Sequence, residues 1–302
     1  MTLIRPSDLT PSQVIMMLEE AQYPTGEARH QGQWIGSAFF EPSTRTKLSF
    51  HAAARDDGWE VLDLPDASAS SLTKGETAED TIRNMIEIAD LRRFVLRTSD
   101  EDLIHRMAEE YPEVLFINGG NGKAHHPTQA LGDLLTLAEH FGGWGALNGK
   151  TVTIVGDLTA SRVANSCREL FTMFGINVQA GGPQYYTMPT QDWKDTHRCS
   201  DLEEALDTSD VIMSLRIQHE RMRVIPTSRE EKIAEMLEWS VTEAHLVSRP
   251  SLRIMHPGPV NRGVELTDGV VDGMQSLILR QVRAGYQMRR ALLNLSYELF
   301  EK

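Results

Sequence analysis

The stretch Phe39-Phe40-Glu41-Pro42-Ser43-Thr44-Arg45-Thr46-Lys47-Leu48-Ser49-Phe50 decides the fold. An apolar strand, Trp34–Phe40, runs into a Glu-Pro break and out into a helical pattern that starts near Lys47. A strand that passes through a short polar turn into a helix is the opening of a βα unit. Ser43 stands where an N-cap belongs, and Pro42 helps to end the strand. The first turn of such a helix offers free backbone N–H groups at the positive end of the macrodipole. Hydroxyls from Ser43, Thr44 and Thr46 and the guanidinium of Arg45 converge on the same place, a combination suited to a tetrahedral dianion. Taken alone, the stretch fits a capped surface helix with an exposed arginine equally well.

Working outward, strand-like runs recur at Trp59–Leu64, Leu91–Leu96 and Val114–Ile117, with helical stretches near 45–57, 77–89 and 100–110 between them. A short helix over 11–21 precedes them, opened by Asp8 or Thr10 with Pro11. Residues 128–141 form a strongly periodic helix, closed by Gly142-Gly143. A second series follows at Thr151–Val155, Ile176–Ala180, Val211–Leu215 and Leu252–His256, with helices near 161–174, 201–207 and 228–240. The segment 274–302 reads as one long helix. The pattern predicts an α/β chain of two domains, each a mainly parallel sheet flanked by helices. A long helix joins them, and a C-terminal helix returns to the first. The expected bounds are 1–142 with about 285–302, and 143–284.

The chain has 302 residues, 40% hydrophobic and 24% charged, enough for two ordinary cores. Its net charge of −13 argues against nucleic acid or an anionic membrane as partner. The two cysteines, Cys167 and Cys199, have no metal or redox spacing, and no signal-peptide or membrane-span run is visible. A cytoplasmic protein is the expectation.

Several further groups stand at strand ends or helix starts. Ser68–Thr81 is a Ser/Thr-rich loop around Lys74-Gly75-Glu76, either a solvated linker or a lid that brings one ammonium to an anion. Arg97 ends a strand, where parallel sheets place ligands, although a surface charge reads the same way. His126 precedes Pro127 at a helix start, where the dipole favours a neutral ring able to donate to a carbonyl oxygen, with Gln129 on the same face. The adjacent His125 and His126 lack companions at ligand spacing, so no metal is expected. Arg162 opens a helix after Val152–Leu158, and Arg216 follows a strand with Gln218 two residues on; both arginines suit carboxylates. His256-Pro257-Gly258-Pro259 forms a rigid turn able to present carbonyl oxygens. The turn at Gly156 lacks a full G-x-G-x-x-G, which weighs against a nicotinamide enzyme. Each feature could be purely local structure; their number on so acidic a chain is harder to dismiss.

Assembled, the pieces resemble the aspartate/ornithine carbamoyltransferase superfamily, on its aspartate branch. STRT at 43–46, KGET at 74–77, HPTQ at 126–129, GDLTASR at 156–162, LRIQHER at 215–221 and HPGPVNRG at 256–263 occur in that family's order. The His-Cys-Leu-Pro of the ornithine branch is absent; His256-Pro257-Gly258-Pro259 stands there. The resemblance implies carbamoyl transfer from carbamoyl phosphate to L-aspartate without cofactor or metal. Ser43, Thr44, Arg45 and Thr46 would hold the phosphate, and Arg97 would touch phosphate and, with Thr46 and His126, the carbonyl oxygen. Gln129 and the carbonyls of Gly258 and Pro259 would hold the carbamoyl or incoming amine. Arg162, Arg216 and Gln218 would bind the aspartate carboxylates. Lys74 and a loop serine, Ser70 or Ser71, would reach a neighbour's site in a homotrimer. Regulatory or dihydroorotase chains are possible partners of such a trimer. Lys47 and Thr98 depart from residues frequent in the family, at positions that are not direct ligands.

Overall fold

The structure, a computed structural model, describes residues 2–24, 30–64, 71–187, 193–216 and 234–300, save the side chains at 71, 185, 297 and 298. The chain divides into two compact units, 1–135 with 282–302, and 136–281.

The first unit is a five-stranded sheet. Its strands are β1 (Thr2–Leu3), β2 (Trp34–Phe39), β3 (Glu60–Asp63), β4 (Arg93–Thr98) and β5 (Leu115–Asn121). They lie in the order β1-β5-β4-β2-β3, and every pairing is parallel. The helices are α1 (Pro11–Gln22), α2 (Thr44–Asp56), α3 (Ala78–Ala89) and α4 (Leu103–Glu110). Two further helices each span a unit boundary, α5 (Pro127–Phe141) and α10 (Ile278–Asn294). Helix starts follow local chemistry. Thr10 and Gln13 form a capping box ahead of Pro11, and Thr77 accepts from the Asp80 N–H. Phe94, Leu96, Phe116, Ile82 and Ile104 are buried in the main core. α5 and α10 approach closely because both carry glycine at the crossing. A Cβ on Gly132 would lie 2.7 Å from the Gly285 Cα, a clash that neither backbone can relieve cheaply.

The second unit repeats the design with β6 (Thr151–Val155), β7 (Asn177–Gly181), β8 (His197–Arg198), β9 (Val211–Ser214) and β10 (Arg253–Met255). The order is β10-β9-β6-β7-β8, again all parallel. Its helices include α6 (Arg162–Met173), α7 (Leu202–Thr208), α8 (Glu243–Val247) and α9 (Asp268–Asp272). Val155, Ile212, Ile254, Val241 and Leu266 pack in its core.

Two expectations change. The C-terminal helix begins only at Ile278, because Gln275 and Leu277 hydrogen-bond through their backbones to Ile254 of β10. It also breaks near Leu295, giving a separate α11 (Ser296–Phe300). There Asn294 donates to Glu20 and Ser296 accepts from Arg93, so tertiary contacts take over the helix end. The helix expected over 228–240 falls partly outside the described residues; 234–237 are helical.

At the end of α2, Asp57 is fully buried with Oδ1 3.2 Å from Nε of Arg290. Burial pushes its carboxyl up to about 6, although the Arg290 hydrogen bond and charge pull the other way. The folded chain therefore binds this proton more tightly than the unfolded chain. Its contribution favours folding as pH falls from 7 through 6. Relative to Asp57→Asn, the wild-type chain should gain about 1–2 kcal/mol of stability between pH 7.5 and pH 5. Paired urea unfolding curves at the two pH values measure it, and a difference that is flat with pH would refute it.

Candidate active site

In an open parallel sheet, ligands bind beyond the strand carboxyl ends where neighbouring strands send their connections in opposite directions. In the first sheet that point lies between β2 and β4, because β2 leads outward to β3 and β4 leads the other way to β5. The loop after β2 is Phe40–Ser43, entering α2, and the strand beside it ends in Arg97 and Thr98. Topology thus brings the Ser43–Thr46 helix start and Arg97 together, although 50 residues of sequence separate them.

Ser43 is the N-cap of α2, in extended backbone, and its hydroxyl makes no capping bond. Thr44 and Arg45 are exposed on the first turn and Thr46 is buried. Thr46 Oγ1 lies 3.4 Å from Nε2 of His126, itself buried just before Pro127 at the start of α5. Arg97 donates from Nη1 to the Gly119 carbonyl at 3.2 Å, and its Nε lies 3.7 Å from Glu41. The pairing of β4 with β5 shifts register between Leu96 and Thr98, the kind of irregularity that re-aims a strand-end side chain. Gln129 is half-buried on α5, and its amide nitrogen donates to Asp133 at 2.9 Å.

The helix carrying Arg45 is itself anchored. Lys47 is 2.8 Å from Asp63 at the end of β3, and it donates to the Leu64 carbonyl at 2.9 Å. Asp63 also lies 3.3 Å from His51 and accepts from Ser37 at 2.9 Å. Burial works to raise the Asp63 carboxyl, but hydrogen bonds from His51, Lys47 and Ser37 together hold it below its usual range.

The second sheet reverses between β6 and β9, since β6 leads to β7 on one side and β9 to β10 on the other. Arg162 opens α6 after β6 and is buried behind the cap that Ser161 gives to the Ala164 N–H at 3.1 Å. Arg216 follows β9, half-buried. The loop after β10 is held by a buried pair. His256 Nε2 is 3.1 Å from Glu265, and its Nδ1 accepts from the Gly258 N–H at 2.8 Å. Glu265 also accepts from the Asn261 N–H at 2.7 Å, so one carboxylate ties down both sides of the Gly258–Pro259 turn. Gly258 has φ +71, a backbone that suits glycine, and the peptide to Pro259 is cis.

Models of one family match both units. The aspartate/ornithine carbamoyltransferase carbamoyl-P binding domain covers residues 2–139, and the Asp/Orn binding domain of the same enzymes covers 148–296. The chain belongs to the aspartate/ornithine carbamoyltransferase family. The aspartate carbamoyltransferase catalytic subunit of Thermus thermophilus is 40% identical over 264 residues, 87% of this chain and 84% of that one. That of Campylobacter lari is 38% identical over 294 residues, covering 96% and 97%. Among solved structures, the catalytic subunit of M. jannaschii aspartate transcarbamoylase superposes with a TM-score of 0.83 at 30% identity, covering 99% of each chain. The Trypanosoma cruzi aspartate transcarbamoylase in complex with N-(phosphonacetyl)-L-aspartic acid gives 0.83 at 26%, covering 97% and 94%. Ornithine carbamoyltransferase from Pyrococcus furiosus also gives 0.83 at 26%, covering 97% and 96%, so both branches of the family share this fold.

The carbamoyltransferase motif residues divide between the two units, and some lie apart from either group. Lys74 is exposed at the end of a 3-10 turn, Ser71–Lys74, and has no ion-pair partner among the described residues. Ser71 begins that turn; Ser70 and Gln218 lie outside the described residues. Reading the sequence missed four acids: Glu41, Asp63, Asp133 and Glu265. Only Glu41 had a visible signal, an acid inside a motif otherwise suited to an anion. Among the described residues, His197, Cys199 and Glu204 approach one another within 4.8 Å. Burial pushes the Cys199 thiol up to about 11. Glu204 already accepts from the Ser200 N–H and from His197, which hold its carboxyl down to about 2. That arrangement leaves a carboxylate already taken up by the Ser200 N–H and the His197 ring, beside a protonated thiol.

Proposed function

We propose that this chain transfers the carbamoyl group of carbamoyl phosphate to the amine of L-aspartate, giving N-carbamoyl-L-aspartate and phosphate for pyrimidine synthesis. The observation that carries the reading is the pair of arginines, Arg162 and Arg216, at the switch point of the second sheet. Two guanidiniums favour a dicarboxylate acceptor over a cationic one such as ornithine. Relatives named as aspartate carbamoyltransferase catalytic subunits, and the T. cruzi enzyme in complex with carbamoyl phosphate and aspartate, support the same acceptor.

Ser43, Thr44, Arg45 and Thr46 bind the phosphate at the α2 N-terminus. Arg97, Thr46 and His126 take the carbamoyl carbonyl oxygen as negative charge grows on it. Gln129 and the carbonyls of Gly258 and Pro259 hold the amine hydrogens. Arg162, Arg216 and Gln218 fix the two carboxylates. The deprotonated amine attacks the carbamoyl carbon directly, a tetrahedral oxyanion forms and phosphate leaves. Catalysis is orientation plus charge stabilisation. Two anionic reactants repel by on the order of 1 kcal/mol per charge pair at 4 Å even in water, and by more in a drier site, which accounts for the density of cations. Lys74 and Ser70 or Ser71 act in the site of a neighbouring subunit, in a cytoplasmic homotrimer open to regulatory or dihydroorotase chains. Among the described residues no helix is long and apolar enough to cross a membrane.

The test is turnover by the purified chain with L-aspartate and L-ornithine in parallel. Carbamoylation of aspartate alone supports the assignment; carbamoylation of ornithine overturns it. Binding of a bisubstrate phosphonate with no turnover would mean an anion-binding protein instead.

A further inference from the structure

The amide of Gln129 is oriented by a group four residues beyond it, outside the HPTQ stretch at 126–129. Asp133 sits one turn further along α5, at the i+4 position, and is fully buried. Its Oδ1 accepts from Gln129 Nε2 at 2.9 Å. A carboxylate can only accept, so the amide nitrogen must face Asp133 and the amide oxygen must face away. A second buried group stands near it. Arg289 of α10 is 4% exposed and its guanidinium lies 5.2 Å from the Phe50 ring; burial pushes it down to about 10, and the nearby Asp133 charge pulls the other way. The glycines at 132 and 285 let α5 and α10 approach closely.

We propose that Asp133 is a positioning residue that locks the Gln129 carboxamide with its oxygen outward, as the acceptor for the carbamoyl NH₂ group. The proposal rests on Gln129 being a carbamoyl phosphate ligand. An unlocked glutamine can turn its own NH₂ toward the substrate NH₂, two donors face to face. Asp133 thus selects which half of the amide the substrate meets, without touching the substrate.

The experiment compares kcat/KM for carbamoyl phosphate, with Tm alongside, in Gln129→Ala, Asp133→Asn, the double variant of the two, and Gln129→Glu. Each of the first two should lower kcat/KM about tenfold, the worth of one buried hydrogen bond. The double variant should be no worse than Gln129→Ala alone, since Asp133 acts through Gln129. Gln129→Glu reads the same contact with Asp133 intact, which matters if Asp133→Asn fails to fold. Once protonated, the introduced acid can donate to Asp133 and turn its carbonyl oxygen outward. Its rate relative to wild type should therefore rise as pH falls.

A multiplicative double variant, a wild-type rate in Asp133→Asn, or a pH-independent ratio for Gln129→Glu overturns the proposal. If Gln129→Ala itself retains the wild-type rate, the assignment of Gln129 as a ligand falls, and this proposal with it. A loss in Gln129→Ala without a loss in Asp133→Asn removes only the positioning role.

Discussion

Arg45→Ala is expected to lower kcat by about a hundredfold to a thousandfold while leaving the unfolding midpoint where it is. The two halves of that expectation have separate causes. Arg45 is exposed on the first turn of α2, so it contributes no core packing, and exposed substitutions of this kind change stability by about 0.5 kcal/mol or less. The helix start is held by other groups, chiefly the Lys47–Asp63 pair and the buried Phe50. The chemistry has no such reserve. When the phosphate leaves, negative charge gathers on its oxygens, and a guanidinium set against the positive end of a helix is the strongest donor the turn can offer. A backbone N–H and three hydroxyls remain, which keep some binding but little of the charge stabilisation. The loss should therefore fall mainly on kcat, with a smaller rise in KM for carbamoyl phosphate. Steady-state kinetics and a thermal melt on the same preparation measure both. A variant with near-normal kcat would remove the phosphate role of this helix start, and a variant that fails to fold would show Arg45 to be structural.

What the sequence made legible follows from periodicity and turn chemistry. β6 is observed at Thr151–Val155 as read, and β2, β4, β7 and β9 lie within a residue or two of their expected bounds. Buried parallel strands are short apolar runs that announce themselves. β1 and β8 were invisible because each has two residues and exists only through its partner, β5 or β7. The start of α10 was misread because the backbones of Gln275 and Leu277, helix-compatible residues before Ile278, bond to β10 instead, a contact no local pattern contains. The site shows the same division. Cations at strand ends could be read, since strand ends can be read. The acids that anchor the neighbouring helices and turns could not, because Asp63, Asp133 and Glu265 are surface-type residues until the fold buries or half-buries them. The order of strands, which turns separate motifs into two switch points, became visible only with the sheets.

Two inactive variants should restore one another when mixed. Lys74 stands apart from the Arg45, Arg97 and His126 constellation in kind as well as in sequence. The segment that carries it comes after β3, one of the two edge strands of the first sheet. Its ammonium is exposed and has no ion-pair partner among the described residues, although the chain carries 43 acidic side chains. A cation without an ion-pair partner among the described residues of so acidic a chain suits an anion that arrives later, the role proposed for Lys74. If that anion is bound in a neighbour's site, Lys74→Ala and Arg45→Ala each empty every site of their own homo-oligomer, but in different halves. Mixed in equal amounts, dissociated and allowed to reassociate, they produce some interfaces in which one chain supplies Arg45 and the next supplies Lys74. Each condition is met with even odds, so about a quarter of the wild-type activity should return from two preparations that have almost none. The recovery should scale with the product of the two fractions and peak at equal mixing, a curve that misfolding or contamination would not give. If Lys74 serves the site of its own chain, every chain in the mixture lacks one required group, and no ratio restores the rate.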